Sequence, residues 1–237
     1  MTSGEHLSTR YDEELESMRS RILQMGGLVE SQLKTALDAF ERADVSMAES
    51  AILADKRVNS LEIDLDRAVG TVIARRQPTA GDLRMVMGVA KTITDLERIG
   101  DEATKIARAV HWLREKENSA RLNRIPDIRT SGDLAASMLH RSLDAFARVD
   151  AQAAAAIIGD DLDVDERFRA ILRQLITFMM EDPRTISASL DTVWVAKAIE
   201  RIGDHAKNIA EHVIFISHGE DVRHSSPEEV ARAIAGK

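Results

Sequence analysis

Four pairs of oxygen-bearing side chains recur at a spacing of four: Asp55 with Asn59, Glu97 with Asp101, Asp161 with Asp165, and Glu200 with Asp204. On a helix that spacing puts both members of a pair on one face. Like charges so placed repel, and weaken an isolated helix by a few tenths of a kcal/mol. Two readings account for a cost repeated in this way. Oxygen ligands from two neighbouring helices can surround a hard divalent or trivalent cation. Alternatively, the pairs line a solvated acidic face, with Arg98 and Arg201 as nearby counter-charges. Gly100 and Gly203 sit inside the Glu97 and Glu200 segments. A mid-helix glycine costs about 1 kcal/mol relative to alanine, so each marks either tight helix packing or open space beside the carboxylates.

Other chemistries find little support. There is no cysteine, so disulfides, thiolate metal sites and cysteine nucleophiles are excluded. Ferritin-like di-metal centres use Glu-x-x-His on facing helices, and no Glu-x-x-His occurs. His205 and His212 flank the acidic stripe seven residues apart and read as exposed polar residues or as extra ligands. His111 and His140 are isolated. No phosphate-cradling glycine loop, nucleophile elbow or dinucleotide fingerprint is present. Trp112 and Trp194 read as core or interface, Met85 and Met87 as core filler, and Arg75-Arg76 as a charged helix end.

The elements that position these residues are helices, arranged twice. Glu97-Arg98-Ile99-Gly100-Asp101 returns as Glu200-Arg201-Ile202-Gly203-Asp204, and Leu37-Asp38-Ala39-Phe40 returns as Leu143-Asp144-Ala145-Phe146. A weaker echo links Asp55, Val58 and Asn59 to Asp161, Val164 and Asp165. The offset is about 105 residues, the size of a small domain. Leu15, Met18, Ile22, Met25, Val29, Leu33, Ala36 and Phe40 keep a spacing of three or four, which predicts a helix from about Tyr11 to Ala43. Further helices are expected over Ser46–Arg75 and from Pro78 towards Glu117. The plan repeats over Asp127–Arg148, Ala151–Met180 and Arg184–Ser217, with Asp182-Pro183 as a start signal. Long helices on short links pack antiparallel. The expected fold is therefore all-α: two homologous antiparallel three-helix bundles side by side. Residues 1–10 are expected as a flexible N-terminus, 11–118 as the first repeat and 119–126 as a linker. The second repeat then covers 127–218, and 219–237 forms a tail with a short final helix.

Composition agrees. Over 237 residues, 44% are hydrophobic and 30% charged, but only 3% aromatic, which disfavours an all-β fold. The net charge of −8 opposes duplex nucleic acid as a partner. No stretch is long and apolar enough for a transmembrane helix, and Met1–Tyr11 lacks the apolar centre of a signal peptide. A cytoplasmic protein is expected.

The two Glu-Arg-Ile-Gly-Asp segments, each followed by Ala and then Ile-Ala, come together with three further motifs. These are Ala-Arg-Arg-Gln-Pro at 74–78, Met-Glu-Asp-Pro-Arg at 180–184 and Asp-Val-Arg-His at 221–224. With them the chain resembles the PhoU family, the phosphate-specific transport system accessory and regulatory proteins of bacteria, over nearly its whole length. The resemblance implies two side-by-side three-helix bundles and a role without catalysis. It implies a homodimer that couples the ATPase subunit of the high-affinity phosphate importer to a phosphate-sensing histidine kinase. Such a protein meets membranes only through partners, and it holds the starvation response off and limits uptake when phosphate is plentiful. It also implies metal capability (Fe, Zn, Mn or Mg) at Asp161/Asp165, Glu97/Asp101, Glu200/Asp204 and Asp55/Asn59. Asn59 departs from the family's carboxylate, which weakens the first site. Two rivals remain: a metal-dependent helical enzyme, which needs an enclosed site and a base, and a nucleic-acid-binding regulator, which the charge opposes.

Overall fold

A computed structural model describes residues 3–78, 80–114, 125–223 and 225–235. It contains seven α-helices: α1 (Ser3–Arg42), α2 (Val45–Arg76), α3 (Ala80–Arg114), α4 (Pro126–Arg148), α5 (Ala151–Glu181), α6 (Ile186–His218) and α7 (Pro227–Ala235). A 3-10 turn, Pro183–Thr185, leads into α6. There is no strand among the described residues, as the sequence predicts. The first helix starts well ahead of the expected Tyr11, and most of the expected 119–126 linker lies outside the described residues.

Helix ends follow local chemistry, and they do so twice. At the α1–α2 turn Ala43 takes a left-handed conformation (φ 53°), and Asp44 N–H donates to Ala39 O at 2.9 Å. The Asp44 carboxylate then accepts from Met47 N–H at 3.0 Å, capping α2. At α4–α5 the same roles fall to Val149 (φ 53°), Ala145 and Asp150, with Asp150 capping through Ala153 N–H at 2.9 Å. The α2 helix stops at left-handed Gln77 before Pro78. Asp182 accepts from Arg184 N–H, so the expected start signal acts as a cap. Ser226 and Glu229 form a reciprocal capping box on α7.

Packing gives two bundles, α1–α2–α3 and α4–α5–α6, joined side by side mainly along α3 and α6 and also where α1 meets α4. The α1 positions Met18, Ile22, Met25, Val29, Leu33, Ala36 and Phe40 are buried, as their periodicity predicts. At the α1–α4 crossing a Cβ on Gly26 would stand 2.6 Å from Leu143 Cδ2, and one on Gly132 would stand 2.6 Å from Leu37 Cδ2. Each bundle thus seats a leucine on the other's glycine. Arg129 bridges from α4 to Asp38 and Glu41 on α1 at 2.6 and 2.8 Å. The consequence for the site is that α3 is covered by α1, α2 and α6, and α6 by α3, α4 and α5. On α3 this leaves an exposed stripe that includes Thr94, Arg98, Lys105 and Arg108.

Candidate functional site

The acidic stripes fall on seams between helices. In the second bundle Asp161 and Asp165 of α5 face Glu200 and Asp204 of α6. Asp161 and Glu200 are buried, and Asp165 and Asp204 half-buried. Of the two readings of the sequence, a wholly solvated acidic face does not hold here. A single apolar face reveals one neighbour of a helix, whereas α6 has three. The four carboxylates act on one another: Asp204 is pushed up to about 6, first by burial and then by Glu200, Asp161 and Asp165, against the pull of Lys197. Two ammonium groups from α6 offset the rest. Lys207 Nζ donates to Asp161 Oδ2 at 2.7 Å and Lys197 Nζ to Glu200 Oε1 at 2.5 Å. Glu200 Oε2 is buried with no hydrogen-bond partner.

In the first bundle Asp55 and Asn59 of α2 and Glu97 and Asp101 of α3 are all half-buried. Here neutral groups hold the first carboxylate. Asn59 Nδ2 donates to Asp55 Oδ2 at 3.1 Å and Gln32 Nε2 to Asp55 Oδ1 at 3.3 Å. Gln32 also reaches Gly100 O and Thr104 Oγ1. Glu97 is raised by burial and then by Asp101, Glu62 and Asp55. Glu62 is raised in turn by burial and then by Asp66 and Asp101. Glu62 therefore belongs to this seam. Its place on the α2 stripe gave the signal, but the second half has Phe168 at that position, so the repeat hides it.

Gly100 and Gly203 answer to tight packing. A Cβ on Gly203 would lie 3.3 Å from Val164 Cγ1, and one on Gly100 3.2 Å from Gln32 Oε1 and 3.5 Å from Val58 Cγ1. The glycines let α2 and α5 approach closely enough to bring each pair of acidic stripes together.

Among the described residues no three Asp, Glu or His side chains form a ready-made metal cage. The donor chemistry of the seams nevertheless suits a hard cation. All eight residues offer oxygen, Glu200 Oε2 and Asn59 Oδ1 are buried without partners, and Asp204 is raised by burial and then by its acidic neighbours. In the second seam Lys197 and Lys207 stand where a cation's charge would otherwise be required.

A polar cluster outside the expected site joins the bundles. Asp95 of α3 is buried and lies 2.8 Å from His205 Nδ1, 2.8 Å from His212 Nε2 and 3.0 Å from Asn208 Nδ2, all on α6. Burial raises Asp95, but the hydrogen bonds from His205, His212 and Asn208 outweigh it and hold the carboxyl below its usual range. An ionised carboxylate only accepts, so both imidazole nitrogens carry hydrogen. The expectation of exposed histidines fails here. Their spacing of seven pointed to one helix face, but the acid that binds them comes from the other repeat. His140 contacts Glu30 at 2.8 Å. Trp112 and Trp194 are exposed rather than core, as is Met87.

The PhoU domain profile matches residues 22–110 and 128–213, one copy in each bundle. The chain belongs to the PhoU family. It is 46% identical over 227 residues to a Burkholderia sp. phosphate-specific transport system accessory protein PhoU homolog, covering 96% of this chain and 97% of the relative. With the Escherichia coli K12 phosphate-specific transport system accessory protein PhoU, identity is 43% over 234 residues, covering 99% and 96%. The fold is similar to the crystal structure of PhoU from Pseudomonas aeruginosa, with a TM-score of 0.85 and 43% identity over 89% of this chain and all of that one. It is also similar to the Streptococcus pneumoniae phosphate transport system regulatory protein PhoU, with a TM-score of 0.81 and 30% identity over 90% and 99%. By these names PhoU is a family of accessory and regulatory proteins, not of enzymes. No helix among the described residues is long and apolar enough to cross a membrane.

Proposed function

We propose that this chain regulates phosphate transport by contact. In this reading it is a cytoplasmic homodimer that couples the importer's ATPase subunit to the phosphate-sensing histidine kinase. It holds the starvation response off and limits uptake while phosphate is plentiful. The observation that carries the reading is identity above 40% over nearly the full length to accessory proteins of the phosphate-specific transport system. Deleting the gene should leave phosphate-starvation genes on in phosphate-rich medium, and a pull-down from such cells should recover the ATPase and the kinase. Normal repression in the deletion strain, or recovery of neither protein, would overturn it.

The acidic seams extend the proposal. Asp161, Asp165, Glu200 and Asp204 would hold a hard cation across α5 and α6, and Asp55, Asn59, Glu97 and Asp101 a second across α2 and α3. A bound cation would supply positive charge that lets the carboxylates of a seam, four in the second and three in the first, ionise together. Glu200 and Glu97, each near a mid-helix glycine, would serve as central ligands. The residues' own part is to hold the paired helices at fixed spacing. Elemental analysis of protein purified without chelator tests this. Glu200→Gln/Asp204→Asn should lower the metal-to-protein ratio strongly, and Glu97→Gln/Asp101→Asn less so. Equal ratios in all three proteins would reduce the seams to structural or partner-binding surfaces.

A further inference from the structure

The α3–α6 groove has two ends, related by the internal repeat, and only one of them is filled. At the filled end Asp95 is bound by His205, Asn208 and His212. Lys91 Nζ stands 5.2 Å over the Phe215 ring, and Ile216 lies close over Gly88. At the other end the counterparts of Asp95 and His212 are Ala198 and Ala109, and Trp194 and Trp112 replace Lys91 and Phe215. Trading an aspartate and a histidine for two alanines leaves a cavity of about 560 Å3.

We propose that this cavity docks an acidic segment of a partner protein, anchored by one bulky apolar side chain. The floor is apolar: Val195, Ala198 and Ala109 are buried. The walls are the two indoles, with Trp112 47% and Trp194 68% exposed. Exposed tryptophans beside a pocket are the side chains that interfaces use as anchors. From Trp194 the apolar strip continues along α6 through exposed Leu190 and Ile186, one turn apart each, so a segment longer than one residue has surface to cover.

Charge at the mouth selects the partner. Lys105, Lys197 and Arg201 line it with side chains 52%, 41% and 43% exposed. The carboxylates that pair with them, Glu102 and Glu200, are only 3% and 11% exposed. Asp191 is the remaining charged residue of the lining. The heads offered to a partner are therefore mainly cationic, on a chain whose net charge is −8. An acidic segment is repelled by most of this protein and attracted here, which fixes where it docks.

The chain has two tryptophans, both at this cavity, so intrinsic fluorescence reports its occupancy directly. A displayed library of random 12-residue peptides, lacking Trp, is selected on the full-length protein. The enriched peptides should carry a Leu, Phe or Met flanked by Asp or Glu, and as synthetic peptides should shift the tryptophan emission to the blue. Their Kd should weaken at least tenfold against Trp194→Ala and against Lys105→Gln/Lys197→Gln, with the circular dichroism of both variants unchanged. Four results would overturn the proposal: no enrichment, enrichment of basic peptides, equal binding to Trp194→Ala, or a blue shift given only by a free amphiphile such as dodecanoate. So would a concentration-dependent blue shift of the protein alone, tracking dimer formation by ultracentrifugation, because a second copy would then cover the cavity.

Discussion

In the second bundle Lys197 and Lys207 reach the acidic seam from α6; the counterpart positions on α3 are Thr94 and Thr104. The first seam instead ties Asp55 with amides from Asn59 and Gln32, and Met138 stands where Gln32's counterpart would be. A shared helical frame thus supports two ways of keeping buried carboxylates. One neutralises charge with charge, and the other solvates charge with fixed dipoles. The α3–α6 contact shows the same divergence, with a polar clasp at Asp95 and a cavity at its counterpart Ala198. Duplication copied the backbone contacts, which both halves need, while the charge partners drifted separately in each half.

The clasp offers the largest test of that asymmetry. Asp95→Ala leaves His205, Asn208 and His212 without their shared acceptor and should cost about 3 kcal/mol in urea unfolding. At the other end of the groove Glu102, the counterpart of His205, pairs with exposed Lys105 and half-exposed Arg201, so Glu102→Ala should cost about 1 kcal/mol. Equal losses would mean that both ends of the groove fasten the bundles alike. Because the folded pKa of Asp95 lies below its ordinary 3.8, its contribution is present above that value and fades as pH falls through the lower folded one.

The seams come next. Lys207→Met strips the ammonium from Asp161 and should destabilise by about 2 kcal/mol. Thr104→Ala in the first seam removes one hydrogen bond and should cost about 1 kcal/mol. If a hard cation added to Lys207→Met restores the loss, a metal can take the lysine's place; if it does not, the lysine acts through geometry that an ion cannot supply.

Asp204 separates the seams by pH. Its folded value of about 6 lies above the ordinary 3.8, so the folded state keeps the proton longer. Its contribution to stability is greatest below 3.8 and falls as pH rises through 6. For a half-exposed carboxyl, screening leaves about 1 kcal/mol of that fall. Asp204→Asn should flatten the profile between pH 4 and 7, and Asp101→Asn should change it less. Reversed sensitivities would move the strained carboxylate to the first bundle.

The smallest effect lies in the two interhelical turns. Ala43 and Val149 share a left-handed conformation that glycine adopts freely. Ala43→Gly, at an exposed site, should raise stability by about 0.5 kcal/mol. Val149→Gly should gain less or lose, because Val149 packs against the core.

The helices, their duplication and the family are all legible in the sequence. Each is written in near-neighbour pattern: spacing of three and four, Asp-Pro and Gln-Pro punctuation, and a five-residue motif repeated in register. The sequence also put Glu97 with Asp101 and Glu200 with Asp204 on common faces, because one helical turn fixes that locally. The tertiary structure decided how buried those faces are and what meets them. Lys207 reaches Asp161 and Gln32 reaches Asp55 from other helices, and His205 and His212 reach Asp95 from the other repeat. No periodicity within a helix specifies which residue of a distant helix stands opposite. That register comes from packing, from the leucines seated on Gly26 and Gly132 and the valines against Gly100 and Gly203. The environment of every candidate ligand, and the cavity between the tryptophans, exist only once that packing is complete.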